Sequence, residues 1–130
     1  MPTKKKKKKG RYKRGIHESP VAGLCKFRSG WEKSYMCYLD SHPEVQTWTY
    51  EKMIIEYVSN KSTGRTRKYY PDFYVEYKSG EKVIVEIKQK RKLAQLSTRK
   101  KIMAAEQWCR FNSVTFKIIT EIELKELGLI

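Results

Sequence analysis

The stretch DFYVEYKSGEKVIVEIK, residues 72–88, constrains what this 130-residue chain can fold into more than any other. Phe73, Val75 and Tyr77 alternate with Asp72, Tyr74 and Glu76. After a KSG triplet, Val83, Val85 and Ile87 alternate with Lys82, Ile84, Glu86 and Lys88. A period of two marks a strand with one face on a core. A three-residue connection closed by glycine is a hairpin loop, with Gly80 taking the left-handed position. If Lys78 to Gly80 is that loop, Tyr77 pairs with Glu81, and counting outward sets Asp72 opposite Glu86. Directly opposed residues have Cβ atoms about 4.5–5.5 Å apart. Lys88 shares the face of Glu86, so the hairpin predicts two acids and one lysine gathered on one side of a sheet.

The flanking segments supply the rest of a layered domain. In RSGWEKSYMCYLDSHPEV, Ser29 is an N-cap, Trp31, Tyr35, Tyr38 and Leu39 fall at helical spacing, and Pro43 stops the helix. Val45 to Val58 is β-branched and aromatic and reads as one or two strands. SNKSTGRTRK reads as a polar turn. STRKKIMAAEQWCRF reads as a helix with Ile102, Ala105 and Cys109 on its apolar stripe, and Val114 to Thr120 as a further strand. Thr120 and Glu123 form a capping box for a short last helix. The expected fold is α/β or α+β, a small mixed sheet flanked by helices. Residues 1–23, with Gly10, Gly15, Pro20 and Gly23, read as a basic flexible N-terminal arm, and 24–130 as one folded domain.

Charge narrows the partner. The net charge is +15, and nine of the 29 basic residues lie in the first fourteen: Lys4, Lys5, Lys6, Lys7, Lys8, Lys9, Arg11, Lys13 and Arg14. The remainder is still basic by about +6. Lysines laid on phosphates release counterions, which gives sequence-blind, salt-sensitive nucleic-acid binding. A solubilising tail, an acidic partner or a membrane surface is the alternative use of such a run. Lys90, Arg91, Lys92, Arg99, Lys100 and Lys101 form a second basic group and are further candidates for DNA-backbone contacts. No apolar run is long enough to span a bilayer. Cys25, Cys37 and Cys109 match no zinc spacing, suit a reducing compartment and read as small buried apolar residues. His17 and His42 are too isolated for a metal site, and there is no glycine-rich phosphate loop.

Two opposed carboxylates repel unless one protonates or a cation sits between them. Mg²⁺ takes such oxygen ligands and fills its other positions with water and substrate phosphate. Lys88 beside it could orient an attacking water and stabilise charge developing on phosphorus. The competing reading is a solvated sheet face with a weak Glu86–Lys88 surface pair. Glu51 and Glu56 are competing acids read as surface positions. Tyr69, Tyr70 and Tyr74 read as packing residues, with base stacking as the alternative.

PDF followed after a hairpin by VEIK resembles the PD-(D/E)xK nuclease core of restriction-endonuclease-like proteins. RSGWEKSYMCYLDSHPEVQTWTYE, RKYYPDFYV, the helix holding AAEQWC, and FKIITEIEL extend that likeness to TnsA-like nucleases and the small head-completion nucleases of tailed phages, over roughly residues 26–124. The resemblance implies a divalent-metal-dependent DNA endonuclease, with Mg²⁺ or Mn²⁺ held by Asp72, Glu86, the main-chain carbonyl of Ile87 and an acid from the first helix, Glu32. Lys88 would be the catalytic lysine and the product would carry a 5′-phosphate. Taken alone, Glu32 is an ordinary polar residue beside Trp31. The resemblance also implies a phage or mobile-element setting, in the cytoplasm of a host cell or on the virion, with capsid, portal or transposition proteins, or a second copy, as partners. The lysine-rich start lies outside the likeness, and the Gln89–Thr98 link is short for it. A non-catalytic virion protein that keeps the fold, a transposase partner or homing nuclease, and a plain DNA- or RNA-binding module are the rivals.

Overall fold

The computed structural model describes residues 14–130. The N-terminal cations Lys4 to Lys9, Arg11 and Lys13 lie outside that range. Among the described residues, twelve elements follow one another. They are β1 (Gly15–Ser19), β2 (Gly23–Phe27), α1 (Gly30–Ser41), β3 (Val45–Tyr50), β4 (Ile55–Asn60), β5 (Arg65–Tyr69), β6 (Phe73–Tyr77), β7 (Lys82–Ile87), a 3-10 turn (Lys90–Ala94), α2 (Leu96–Asn112), β8 (Thr115–Ile119) and α3 (Glu121–Glu126).

The central sheet has the order β3-β6-β7-β8. β3 and β7 flank β6 antiparallel, and β8 runs parallel to β7 after the α2 crossover, as a parallel pair requires. This is the mixed sheet with flanking helices expected from the pattern, consistent with the restriction-endonuclease-like fold. The β6–β7 register pairs Phe73 with Val85 and Glu76 with Lys82, and the Tyr77 N–H donates to the Glu81 carbonyl at 2.9 Å. Gly80 closes the loop at φ +96, a conformation that a side chain resists. Asp72 sits one residue before β6 and Lys88 one residue past β7.

The two faces carry separate cores. Phe73, Val75, Val83 and Val85 pack with Tyr35, Met36 and Leu39 of α1, Trp48 of β3 and Leu124 of α3. On the other face Ile84 packs with Ala105 and Cys109 of α2 and with Ile55 and Tyr69 of the β4–β5 pair. The alternation along β7 thus reads out directly as which helix each side chain meets. Ser29 caps α1, its hydroxyl accepting from the Glu32 N–H at 3.2 Å. We expect Ser29→Ala to lower stability to urea by about 1 kcal/mol; a loss below about 0.3 kcal/mol would mean the cap contributes nothing. Thr120 and Glu123 form the expected capping box of α3.

Three expectations are corrected. Residues 15–23, read as part of an arm, form β1 and its turn to β2. His17, Ser19 and Trp48 all converge on Asp40, at 2.7, 2.7 and 3.0 Å, which ties that hairpin to α1 and β3. Gly15 lies under the Phe27 ring, which a Cβ there would meet at 2.6 Å and displace. The basic segment Arg65–Lys68, read as a turn, belongs to strand β5, paired along its length with β4. Cys37 is exposed rather than buried. It lies on α1 between Met36 and Leu39 but points away from the apolar stripe that buries them.

Candidate active site

One end of the central sheet collects the acids. There β3 and β7 finish, β6 begins, and α1 starts just after Ser29. Carboxylate oxygens of Glu32, Glu51 and Asp72 lie within 4.8 Å of one another. Each is held by a hydrogen-bonding partner. Glu32 Oε1 accepts from the Arg28 main-chain N–H (2.7 Å) and the Tyr50 hydroxyl (2.8 Å). Asp72 Oδ2 accepts from the Ile87 N–H at 2.7 Å. Glu51 Oε1 accepts from the Arg28 guanidinium at 2.6 Å. Those bonds leave Glu32 Oε2 and Asp72 Oδ1 outside them.

Glu86 stands next to this group. Its Oε1 accepts from the Tyr69 hydroxyl at 2.5 Å, and its Oε2 lies 3.7 Å from Lys88 Nζ. Asp72 is 7% exposed and Glu86 9%. Burial raises the pKa of Asp72 well above the ordinary aspartate value, and the charges of Glu86, Glu32 and Glu51 raise it further, against the Ile87 N–H. Burial also raises Glu86, while the Tyr69 hydroxyl, Lys88 and Lys101 pull it back. Burial likewise raises Glu51, opposed by Arg28. Acids packed this closely, with all-oxygen donors, have the chemistry that a hard divalent cation fits.

The arrangement answers the sequence expectations one by one. Asp72, just before β6, and Glu86 of β7 lie beyond the Phe73–Val85 pair at the same end of the hairpin, and Lys88 is beside Glu86. Glu32 reaches Asp72 from the first turn of α1. Glu51 is the residue that sequence reasoning misplaced: it is not a detached surface acid but a member of the cluster. Its backbone is left-handed (φ 53), which costs a non-glycine residue roughly 1–2 kcal/mol. Its N–H donates to the Asp72 carbonyl at 2.9 Å. Glu56 is exposed on β4, as expected.

The sequence matches a family and a relative. The profile described as "TnsA-like endonuclease N terminal" matches residues 42–121. The head completion nuclease of Enterobacteria phage T4 is 32% identical over an alignment that covers 78% of this chain and 82% of that protein. The chain belongs to the TnsA-like endonuclease family. It is a nuclease of the kind encoded by phages and mobile elements.

This TnsA-like nuclease has cations beside the acid end and on the neighbouring elements. A cleft of about 460 Å³ is lined by Arg14, Lys26, Arg28 and Lys52, by the apolar Ala22, Leu24 and Cys25, and by Tyr50 and Glu51 of the acid end. Lys90 and Arg91 are exposed and Lys92 is half-buried on the 3-10 turn, while Arg99 and Lys100 are exposed on α2. Lys101 is half-buried, its Nζ 5.9 Å from the centre of the Tyr69 ring. Of the three tyrosines weighed for stacking, Tyr69 is buried on Glu86 and Tyr74 is half-buried in the α2-side core, whereas Tyr70 is 46% exposed. Among the described residues no helix is long and apolar enough to cross a membrane.

Proposed function

We propose that this nuclease is a divalent-metal-dependent DNA endonuclease whose site is Glu32, Asp72, Glu86 and Lys88, with Glu51 as an additional acid. The observation that carries this reading is the meeting of Asp72 with acids from α1 and from the end of β3, at the point where Glu86 and Lys88 leave the sheet. Asp72, Glu86, Glu32 and the carbonyl of Ile87 are the groups that would hold Mg²⁺ or Mn²⁺. When bound, the cation supplies positive charge to the phosphate oxygens and lowers the pKa of water.

The protein's own groups do the positioning. Tyr69 holds one Glu86 oxygen, Tyr50 and the Arg28 N–H hold Glu32, and the Ile87 N–H holds Asp72, so the carboxylates meet the substrate without reorganising. The Lys88 ammonium orients the attacking water and stabilises charge on the phosphoryl oxygens. Water attacks phosphorus, the bond from phosphorus to the 3′ oxygen breaks, and the products are a 5′-phosphate and a 3′-hydroxyl. Arg14, Lys90, Arg91, Lys92, Arg99, Lys100, Lys101 and the N-terminal lysines contribute sequence-blind backbone contacts. The T4 relative is named a head completion nuclease, which supports a role for this chain in phage head completion, in the host cell or on the virion, with capsid or portal proteins as partners.

Incubation with supercoiled plasmid and branched DNA tests this directly. Cleavage is expected with Mg²⁺ or Mn²⁺ and none with EDTA, and the new ends should be ligatable 5′-phosphates. Undiminished cutting in EDTA would remove the metal from the mechanism. DNA binding without cutting under any cation would favour a non-catalytic head protein.

A further inference from the structure

The β4–β5 pair is a separate two-stranded sheet that hydrogen-bonds to no strand of the central one among the described residues. Its cations are Lys61, Arg65, Arg67 and Lys68, all exposed, against the single acid Glu56. None of the four takes part in an ion pair among the described residues. Lysine on an exposed edge strand can serve only to block edge-to-edge aggregation. β5, however, carries three cations within five residues, Arg65-Thr66-Arg67-Lys68-Tyr69, and Lys100 of α2 joins the same pair of strands. Lys100 Nζ donates to the Ser59 carbonyl of β4 at 2.7 Å, which places α2 against the ribbon.

The ribbon is also rooted in the active site. Tyr69, its last residue, is the one whose hydroxyl holds Glu86, and Ile55, its first, packs beside Tyr69 on α2. At roughly 3.3 Å per strand residue, Arg65 stands about 13 Å along the strand from Tyr69, and the loop at Lys61–Gly64 stands about 20 Å along it. Duplex DNA rises about 3.4 Å per base pair, so this reach corresponds to about four to six base pairs.

We propose that the β4–β5 ribbon is a DNA-binding element, gripping the sugar-phosphate backbone of the duplex about four to six base pairs from the bond that is cut. A two-stranded ribbon is narrow enough to lie along the major groove. Its four cations are suited to neutralising phosphates, so we expect it to add affinity and register through the backbone. The inference rests on the reading of DNA as the substrate, and it can fail separately from that reading.

Fluorescence anisotropy with a 30-base-pair duplex in Ca²⁺ or EDTA measures binding free of cutting. R65Q/R67Q/K68Q is expected to weaken Kd by about 10- to 100-fold at low salt. It should also flatten the slope of log K against log salt by about 2–3, close to one per lost phosphate contact. R65K/R67K, which keeps the charges, should restore most of the slope, and circular dichroism should show both variants folded. An unchanged Kd and slope in the glutamine variant, with wild-type binding and cutting intact, would overturn the ribbon alone. So would a variant that only aggregates while its soluble fraction binds DNA as wild type does, since that is edge protection. Failure of the wild-type protein to bind DNA would overturn the substrate reading and the ribbon with it.

Discussion

Glu86→Ala and Lys88→Ala are expected to lower plasmid cleavage by about 10²–10³-fold each, the usual cost of removing one charged group aimed at a transition state. DNA binding should stay within about threefold of wild type, because neither residue belongs to the basic surfaces. The two variants should differ in how they fail. Glu86→Ala removes an oxygen donor and should also weaken Mn²⁺ binding measured by calorimetry. Lys88→Ala should leave cation affinity unchanged or slightly tighter, since an ammonium 3.7 Å from Glu86 competes for that carboxylate. Cleavage within threefold of wild type in both would remove these residues from the chemistry.

Asp72→Asn should abolish cleavage yet make the metal-free protein more resistant to heat. Asp72 is buried beside three other acids, and its pKa is raised in the folded state. A group with a raised folded pKa contributes stability below its unfolded value, near 3.9, and loses it as pH rises through the folded value. Above that window the folded protein must hold a buried, repelled carboxylate, at a cost of about 1–3 kcal/mol. Asparagine has the same shape, can still accept the Ile87 N–H and carries no charge. The variant's melting temperature should therefore exceed wild type by about 5 °C or more at pH 8 without metal, using the usual conversion for a domain near this size. The gap should close as pH falls toward 4. Mg²⁺ should raise the melting temperature of the wild type and leave the variant unmoved. Equal melting temperatures at pH 8 in EDTA would mean that the acids do not repel one another as their burial implies.

These two expectations share a physical cause. Carboxylates gathered this closely without a cation are unfavourable, and the fold tolerates them because they are hydrogen-bonded and the sheet beside them is packed on both faces. Tyr50, Tyr69 and the Ile87 N–H hold the geometry without neutralising the charge.

The parts of this nuclease that were readable from sequence are those governed by local rules. Alternation with a period of two, a KSG loop and the position of Gly80 determine the pairing of β6 with β7, and hence the apposition of Asp72 and Glu86. The Ser29 cap and the Thr120–Glu123 box depend on residues three positions apart. Glu51 followed no such rule. Nothing in TYEKM distinguishes a surface acid from a site acid, and only the left-handed turn after β3, with its N–H on the Asp72 carbonyl, brings that carboxylate into the group. Glycines near residues 15 and 23 are equally at home in a flexible arm or in a tight hairpin; the Phe27 ring over Gly15 and the three groups gathered on Asp40 decide for the hairpin. β5 is too polar to declare itself a strand, and it becomes one because β4 supplies its hydrogen-bonding partner and Tyr69 anchors its end.

The sequence by itself therefore determined the central hairpin, which of its faces carries charge and how the helices begin, since each depends on contacts a few residues long. The tertiary structure alone decided which distant acids join Asp72 and where the basic strands stand relative to them. Those contacts span tens of residues, and only the packing of α1, α2 and the two sheets selects them.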